Sequence, residues 1–329
     1  MLMNNFDEKL LAAIKQAENI VICGHAMPDG DSVGSTVAMG LAAKKLGKQA
    51  VVINPDPVPR SYSFLPGSKD VGVLTDFPAN CDLAIILDCT DLYRGGQELA
   101  ALLAKVPTII NIDHHVSNQQ FGHFNFVDPA AAATGELVFH LIGALGLEIS
   151  PEMATNLYTA IAMDTGSFRY DNTSAKTHKI AAELINAGIN VAMINDNLFE
   201  RREIITFKLL GRALTSINLS PCGRVAWISV PFSMMEELGA RDEHADGIVN
   251  YPKNIEGVDI GLFFRELEPG KVKVGFRSRE TADVNKLAAL FGGGGHPRAA
   301  GCLINGDLKD VENEVVKAAL AVLTEECPV

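Results

Sequence analysis

Two short segments, DLAIILD and TIINID, constrain the fold of this chain most strongly. Both are continuous apolar runs that end in an aspartate, at Asp88 and Asp113. Such runs predict strands that are covered on both faces, as in parallel sheets packed between helices. NIVIC at 19–23 and QAVVIN at 49–54 are similar, and helical patterns separate the runs. This alternation predicts βαβ units and an α/β fold with a parallel sheet.

The length and the change of pattern along the chain indicate two domains. A chain of 329 residues favours two domains over one. Residues 191–219 are rich in charge and helical in pattern, whereas short strands, a glycine-rich segment and a closing helix follow them. We therefore predict a first domain at 1–190, a helical connector at 191–219 and a smaller α/β domain at 220–329, with a cleft between the domains.

Composition disfavours several classes of function. The chain has 28 Lys and Arg against 40 Asp and Glu, a formal net charge of -12, which disfavours binding to long duplex nucleic acid. No apolar run approaches the roughly 20 residues that span a bilayer, and the N-terminus lacks signal-peptide features, so we expect a cytoplasmic protein with no membrane contact. The six cysteines contain no C-x-x-C pair, which favours reduced structural thiols over zinc ligands or disulfides.

Carboxylate and imidazole side chains gather where the predicted strands end. Because the carboxyl ends of parallel strands meet at one edge of a sheet, we expect these side chains to converge on one site. Carboxylates with imidazoles and no thiolate suit Mn²⁺ or Mg²⁺, and two such ions about 3.5–4 Å apart can clamp a phosphoryl group. The candidates are His25, Asp29, Asp31, Asp88, Asp113, His114, His115 and Asp164.

Each candidate also has an ordinary structural interpretation. A single aspartate commonly caps a helix, and here we expect a helix from Ser32, with Ser32 itself as the cap. A single histidine is more often a hydrogen-bonded structural residue than a metal ligand. Four clusters in one α/β domain, three of them at strand ends, favour a metal site over these interpretations.

The second domain contains a basic strand and a run of glycines. In KVKVGFRSR the basic residues alternate, so a regular strand places them on one face. They are Lys271, Lys273, Arg277 and Arg279. Such a face can bind phosphate, although charge on an edge strand also prevents aggregation. The glycines at 292–295 allow a ligand to approach the backbone closely and predict an anion-binding loop.

Five ordered motifs resemble those of the DHH phosphoesterases. The first domain contains HAMPDGDSVGS, LDCTD, DHHVSN and AMDTGSFRY, and the second contains GGGGHPRAAG after VGFRSR. The resemblance covers nearly the whole chain and implies an N-terminal DHH domain followed by a DHH-associated, substrate-binding domain. Within the family, the length and motif set are most similar to the bacterial bifunctional oligoribonucleases that also dephosphorylate 3′-phosphoadenosine 5′-phosphate (pAp).

The resemblance also implies a role for each matching residue. It implies two Mn²⁺ ions, with Mg²⁺ or Co²⁺ as substitutes, and Asp88 bridging them. One ligand set is His25, Asp29 and Asp88, and the other is Asp31, Asp88, His114 and Asp164. His115 would face the scissile phosphate as a hydrogen-bond donor or general acid, and Asp113 would orient the histidines. The implied nucleotide contacts are Arg94, Arg277, Ser278, Gly293, Gly294, Gly295 and His296.

The function that the resemblance implies is hydrolysis of small nucleic-acid substrates. We expect a Mn²⁺-dependent phosphoesterase that degrades single-stranded RNA, from dinucleotides to about pentanucleotides, to mononucleotides and also converts pAp to AMP. One alternative is a phosphodiesterase for cyclic di-AMP or its linear product pApA. An alternative from another class is a nucleotide-binding sensor whose metals are structural. The expected partners are short RNA and small nucleotides, and a homodimer is left open.

Overall fold

The computed structural model describes residues 6–279 and 282–323 and divides the chain into two compact units. Unit 1 is Met1–Arg201 and unit 2 is Arg202–Val329. Each unit contains a sheet with helices packed against it, and each has its own hydrophobic core. The prediction of an α/β fold is confirmed, with a parallel sheet in the N-terminal part of the chain and a second sheet in the C-terminal part.

Unit 1 is built on a five-stranded parallel sheet with the strand order β2-β1-β3-β4-β5. Its strands are β1 Asn19–Cys23, β2 Gln49–Ile53, β3 Leu83–Leu87, β4 Thr108–Asp113 and β5 Phe124–Val127. The three central strands are apolar and buried because packed side chains cover both faces of the sheet. The edge strand β5 was not predicted, because its four half-buried residues form too short a pattern.

Helices cover the sheet of unit 1, and two of their ends differ from prediction. The helices are α1 Glu8–Gln16, α2 Gly30–Lys45, α3 Gln97–Leu103, α4 Thr134–Ala144, α5 Pro151–Asp164, α6 Ala175–Asn186 and α7 Val191–Asn195. α2 begins two residues before Ser32, which is therefore not its cap. Instead, Oδ1 of Asp29 accepts hydrogen bonds from the backbone N–H groups of Asp31 and Ser32. The sequence pattern predicts that the helix from Pro151 ends near Ala162, before Asp164, but α5 extends to Asp164.

The segment at 191–219 does not form one continuous helix. α7 leads into a π-helical turn at Asp196–Glu200, and residues 201–203 are not helical. α8 (Ile204–Thr215) then begins unit 2. The boundary between the units therefore falls within the interruption, where the sequence pattern had suggested helix.

Unit 2 contains a six-stranded sheet with the order β10-β11-β9-β8-β7-β6, antiparallel except for the parallel pair β7 and β8. Its strands are β6 Asn218–Leu219, β7 Val225–Val230, β8 Ile260–Glu268, β9 Lys271–Ser278, β10 Gly294–His296 and β11 Ala299–Asn305. Its further helices are α9 Phe232–Leu238, α10 Asn250–Lys253, α11 Val284–Ala289 and α12 Leu308–Val322. Across the described parts of both units, no helix combines the length and apolar character needed to cross a bilayer.

Most of the cysteines are buried thiols, as the sequence predicted. Those that are free and buried are Cys23, Cys81, Cys89 and Cys302. Burial raises the pKa of Cys23 to about 12 and that of Cys302 to about 11, so neither thiol ionises at neutral pH. Cys222 is disulfide-bonded, and the prediction of a reduced thiol is wrong for that residue. Cys327 lies outside the described residues.

Candidate metal centre

The predicted ligands of unit 1 lie together at the carboxyl edge of its sheet. His25 follows β1 by two residues, and Asp88 directly follows β3. His114 and His115 directly follow β4, and Asp164 is the last residue of α5. Because strand ends in a parallel sheet meet at one edge, residues far apart in the sequence become neighbours here.

The first group of donors is His25, Asp29 and Asp88. Nε2 of His25 lies 3.8 Å from Oδ1 of Asp29 and 3.5 Å from Oδ2 of Asp88. Nδ1 of His25 lies 2.8 Å from the carbonyl oxygen of Ala26, and this ring nitrogen must donate because a carbonyl only accepts. In the neutral imidazole, the lone pair is therefore on Nε2, the atom that faces both carboxylates.

The second group is Asp31, His114 and Asp164. Nε2 of His114 lies 3.1 Å from Oδ2 of Asp164 and 3.8 Å from Oδ2 of Asp31. Nδ1 of His114 faces the carbonyl oxygen of Ala131 at 3.4 Å, so Nε2 again carries the lone pair. In each group, one ligand atom from every residue lies within 4.8 Å of the others, close enough for one ion to gather all three.

Asp88 lies between the two groups. Its Oδ2 faces His25, whereas its Oδ1 is 3.7 Å from Nε2 of His114. The residue has a left-handed backbone conformation, φ 59°, while its N–H donates to the carbonyl oxygen of Ile112. The hydroxyl of Thr134 donates to Oδ1 at 3.1 Å. The carboxylate is therefore held so that its two oxygens are directed to different donor groups.

Asp113 orients the histidine that lies outside both groups. Its Oδ1 accepts a hydrogen bond from Nδ1 of His115 at 2.7 Å, and its Oδ2 accepts one from Nδ2 of Asn118 at 2.7 Å. Burial opposes protonation of His115, but the carboxylate of Asp113 outweighs burial and raises the pKa of His115. The imidazole can therefore carry a second proton, on Nε2. Asn118 was not predicted as a site residue, although it belongs to the DHHVSN motif.

Asp31 is held by groups that sequence reasoning also missed. Its Oδ2 accepts from the backbone N–H of Thr134 at 2.6 Å, and its Oδ1 accepts from the N–H of Gly135 at 2.9 Å and from Oγ of Ser35 at 2.9 Å. Asp31 thus caps α4, whose own N-cap residue, Ala133, has no capping side chain. In the sequence, one signal pointed to this role: no capping residue precedes Thr134, where α4 begins, so its first N–H groups need another acceptor.

The centre holds more negative charge than its imidazoles balance. Burial, and then the charges of Asp88 and Asp164, raise the pKa of Asp31 well above its usual range. Burial likewise raises the pKa of Asp164 to about 6. Burial opposes protonation of His25 and His114, but the neighbouring carboxylates outweigh it and raise the pKa of each to about 10. A divalent cation would supply the missing positive charge, and the oxygen-rich donor set suits Mn²⁺ or Mg²⁺.

A further group of potential ligands, in unit 2, does not fit a metal ion. It consists of Glu203, Glu243 and His244. Nδ1 of His244 accepts a hydrogen bond from the backbone N–H of Arg241 at 2.8 Å, so the proton of the neutral ring is on Nε2. Arg241 also forms ion pairs with both glutamates. A protonated Nε2 cannot ligate a metal, which separates this group from the centre in unit 1.

Arg94, the predicted phosphate contact of unit 1, is exposed beside the His25 loop. It belongs to a short 3₁₀ helix, Leu92–Gly95, that follows β3. Its carbonyl oxygen accepts a hydrogen bond from the N–H of Ala26 at 3.0 Å. The backbone of this predicted contact is therefore fixed next to one of the ligand loops.

The nucleotide contacts predicted in unit 2 divide between two faces of the sheet. Arg277 pairs with Ala299, which pairs with His296, so Arg277 and His296 share one face about 10 Å apart. Ser278 points to the opposite face, is buried, and donates to the carbonyl oxygen of Ala282 at 2.7 Å. Arg279 lies beyond the end of β9, so the prediction that it shares the strand face of the other basic residues is wrong.

Two glycines of the run at 292–295 are required by close backbone contacts, which the sequence alone did not indicate. A Cβ atom on Gly293 would lie 2.2 Å from the carbonyl oxygen of Gly301. A Cβ atom on Gly295, whose φ is 149°, would lie 2.5 Å from the carbonyl oxygen of Ala299. Close packing of β10 on β11 therefore requires both glycines whether or not a ligand binds. Gly294 is exposed, and a Cβ there would meet no atom closer than 3.7 Å.

Comparisons with known proteins match the chain over nearly its whole length. The N-terminal domain of the DHH family matches residues 19–161, and the DHHA1 domain matches residues 227–326. The chain is 36% identical to the bifunctional oligoribonuclease and PAP phosphatase NrnA of Thermus thermophilus, covering 96% of this chain and 94% of that protein. It is 28% identical to the protein of the same name from Bacillus subtilis, covering 90% and 92%. The crystal structure of an exopolyphosphatase-related protein from Bacteroides fragilis has a TM-score of 0.88 at 28% identity, covering 98% and 97%.

A parallel α/β domain with carboxylates and imidazoles at its strand ends, together with these matches, defines a metal-dependent hydrolase. The sequence matches identify which one: this chain belongs to the DHH phosphoesterase family, with a DHH domain followed by a DHHA1 domain. It therefore hydrolyses phosphoester bonds and depends on a divalent metal ion.

Proposed function

We propose that this protein is a Mn²⁺-dependent enzyme that hydrolyses short oligoribonucleotides to mononucleotides and converts pAp to AMP. Two relatives, 36% and 28% identical, are named for an oligoribonuclease and a PAP phosphatase activity. The matches cover 96% and 90% of this chain, so they include both of its domains. Conservation of the whole two-domain arrangement supports conservation of the substrate class.

The observation that carries the proposal is the position of Asp88. Because its two oxygens are directed to different donor groups, Asp88 would contribute a ligand oxygen to each of two divalent ions. The proposed ligands are His25, Asp29 and Asp88 for one ion, and Asp31, Asp88, His114 and Asp164 for the other. When bound, such ions would activate water as a nucleophile near neutral pH and would stabilise the charge that develops on the phosphoryl oxygens. Oxygen-rich coordination with an imidazole in each group favours Mn²⁺, with Mg²⁺ or Co²⁺ as substitutes.

His115 is the proposed proton donor. Asp113 holds the proton on Nδ1 and favours the doubly protonated ring, so Nε2 can donate to a phosphoryl or leaving-group oxygen. Asn118 keeps Asp113 in place through Oδ2, which leaves Oδ1 for His115. These residues position and hold a proton without needing to be metal ligands.

The proposed substrate contacts are on both units. In unit 1, Arg94 is exposed beside the His25 loop and can bind a phosphate group. In unit 2, Arg277 and His296 share one face of the sheet, next to the exposed backbone of Gly294. Ser278 belongs to the other face, so we propose that it supports this strand from behind and does not touch the nucleotide.

A product time course tests the proposed substrates. Protein with Mn²⁺ would receive a labelled pentaribonucleotide, pAp and cyclic di-AMP in parallel, each with an EDTA control. The expected result is stepwise release of mononucleotides together with AMP from pAp. Preferential opening of cyclic di-AMP would support the signalling alternative, and nucleotide binding without any metal-dependent product would support the sensor alternative.

Two aspartates that flank the same strand test the bridging role. Asp88 follows β3 at the carboxyl edge, whereas Asp82 precedes it and accepts backbone hydrogen bonds from Glu18 and Asn19. Asp88→Ala is expected to lose turnover and bound Mn²⁺, measured by hydrolysis assay and titration calorimetry, with the fold intact by circular dichroism. Asp82→Ala is expected to keep both. An Asp88→Ala variant at the wild-type rate would contradict the assignment.

A further inference from the structure

Four loops contain a candidate metal ligand or directly adjoin one, and each of them exposes one large hydrophobic side chain. The loops follow β1, β3, β4 and α5. The four side chains are Met27, Tyr93, Val116 and Tyr170, with exposed fractions of 77%, 69%, 85% and 43%. Among the described residues of unit 1, the other exposed large hydrophobic side chains lie outside these loops, and they are Val73, Ile185 and Met193. Exposed apolar surface is therefore concentrated in the ligand loops.

The loops after β1, β3 and β4 are joined to one another. The N–H of Ala26 donates to the carbonyl oxygen of Arg94 at 3.0 Å, which joins the Met27 loop to the Tyr93 loop. The N–H of Gln119 donates to the carbonyl oxygen of Thr90 at 2.8 Å, which joins the Val116 loop to the same segment. The exposed residues are therefore carried on one connected group of loops.

The backbone and packing of two of these residues are also constrained. Met27 has a left-handed conformation, φ 51°, which methionine seldom adopts, and its N–H donates to Oδ2 of Asp56 at 2.7 Å. The ring of Tyr170 packs over the backbone of Gly166, where a Cβ atom would lie 2.3 Å from Cζ of the ring. This contact holds an aromatic ring beside Gly166, which is two residues after the candidate ligand Asp164. Strain and fixed packing at exposed apolar residues indicate a role outside the core.

We propose that these four residues, the apolar rim, bind the nucleobases and riboses on either side of the scissile phosphate. The inference rests on the proposed function, because it assumes that the phosphate binds at the metal centre. Only the phosphate of a nucleotide suits a charged centre, and the flat base attached to it needs an apolar surface nearby. Tyrosine rings stack on any base, while methionine and valine supply contact area without hydrogen-bond readout. The rim therefore selects for the presence of a base and not for its identity.

A pair of substrates separates base contact from phosphate chemistry. One is a diribonucleotide and the other has the same backbone with both bases absent. The variants are Tyr93→Ala, Tyr93→Phe and Val116→Ser, with Ile185→Ala as the control, because Ile185 is 45% exposed but lies on α6. For Tyr93→Ala we expect kcat/KM for the diribonucleotide to fall about 5–100-fold, mainly through KM, with no change for the abasic substrate. Ile185→Ala is expected to match the wild type. Tyr93→Phe, which keeps an aromatic ring, is expected to lose less than Tyr93→Ala, and Val116→Ser to fall in the same direction as Tyr93→Ala.

The outcomes distinguish this proposal from the one on which it rests. A wild-type enzyme that leaves the diribonucleotide intact overturns the proposed function and the rim with it. If the wild type cleaves it, but Tyr93→Ala and Val116→Ser affect both substrates equally or neither, only the rim is overturned. Equal effects together with a change of sedimentation coefficient would instead assign these residues to contact between copies of the chain.

Discussion

Asn118 shows how a single side chain can control the centre without binding a metal. Its Nδ2 donates to Oδ2 of Asp113 at 2.7 Å, while Oδ1 of Asp113 holds His115. Asn118→Asp removes this donor and places a second carboxylate against Asp113. We expect kcat to fall about 10–100-fold, as is usual for outer partners of a metal site. Gln119→Glu introduces the same charge at the adjacent exposed position and is expected to leave kcat unchanged, so equal losses in the two variants would contradict the role of Asn118.

The histidines predict how metal affinity depends on pH. In the metal-free protein the pKa values of His25 and His114 are about 10, so both rings are protonated at pH 7. An ion that binds through Nε2 must displace that proton, so affinity should rise with pH and level off above about pH 10. Mn²⁺ titrations by calorimetry at pH 7, in buffers of different ionisation enthalpy, should therefore show proton release on binding. Binding enthalpies that do not depend on the buffer would contradict this prediction.

At the scale of elements, the centre depends on close contact between α2 and α5. A Cβ atom on Gly34 of α2 would lie 2.5 Å from the carbonyl oxygen of Asn156 and 3.0 Å from Cβ of Ala160, both on α5. Gly34→Ala must move apart the helices that carry Asp31 and Asp164. We expect it to lower the free energy of unfolding by about 1–3 kcal/mol and to weaken Mn²⁺ binding.

Gly143 provides the matched control for this helix contact. It is also helical, in α4, but a Cβ atom there would meet no atom within 4 Å. Gly143→Ala should therefore raise the free energy of unfolding by about 0.5 kcal/mol, because alanine favours the helix. The free energies of unfolding of the two variants are compared by urea denaturation. Similar values would show that a Cβ atom at Gly34 does not disturb the packing of α2 on α5.

The elements also show what the sequence could and could not predict. β1, β3 and β4 were predictable because burial on both faces requires continuous apolar runs, and the donors follow from where those runs end. The role of Thr134 was not predictable, because it depends on how α4 docks against α2. The interruption at 201–203 lies in a sequence with good helix formers, so local pattern could not reveal it.

At the scale of the whole molecule, all candidate metal ligands belong to unit 1, while each unit has its own core. Ligand binding stabilises the folded unit that contains the site, by about 2.7 kcal/mol when free Mn²⁺ is 100 times its dissociation constant. For a unit of this size, that corresponds to a rise in Tm of about 5–10 °C. Unit 2 holds no predicted ligand and should gain little.

The chain contains its own probe for testing this difference. Trp227, its one tryptophan, is in β7 of unit 2. Thermal unfolding followed by Trp227 fluorescence therefore reports on unit 2, whereas circular dichroism reports on helices of both units. With Mn²⁺, part of the dichroism transition should move to higher temperature while the fluorescence transition stays in place, and EDTA should reverse the change. If the fluorescence transition moves by the same amount, the two units unfold as one cooperative structure, and metal binding in the first stabilises the second.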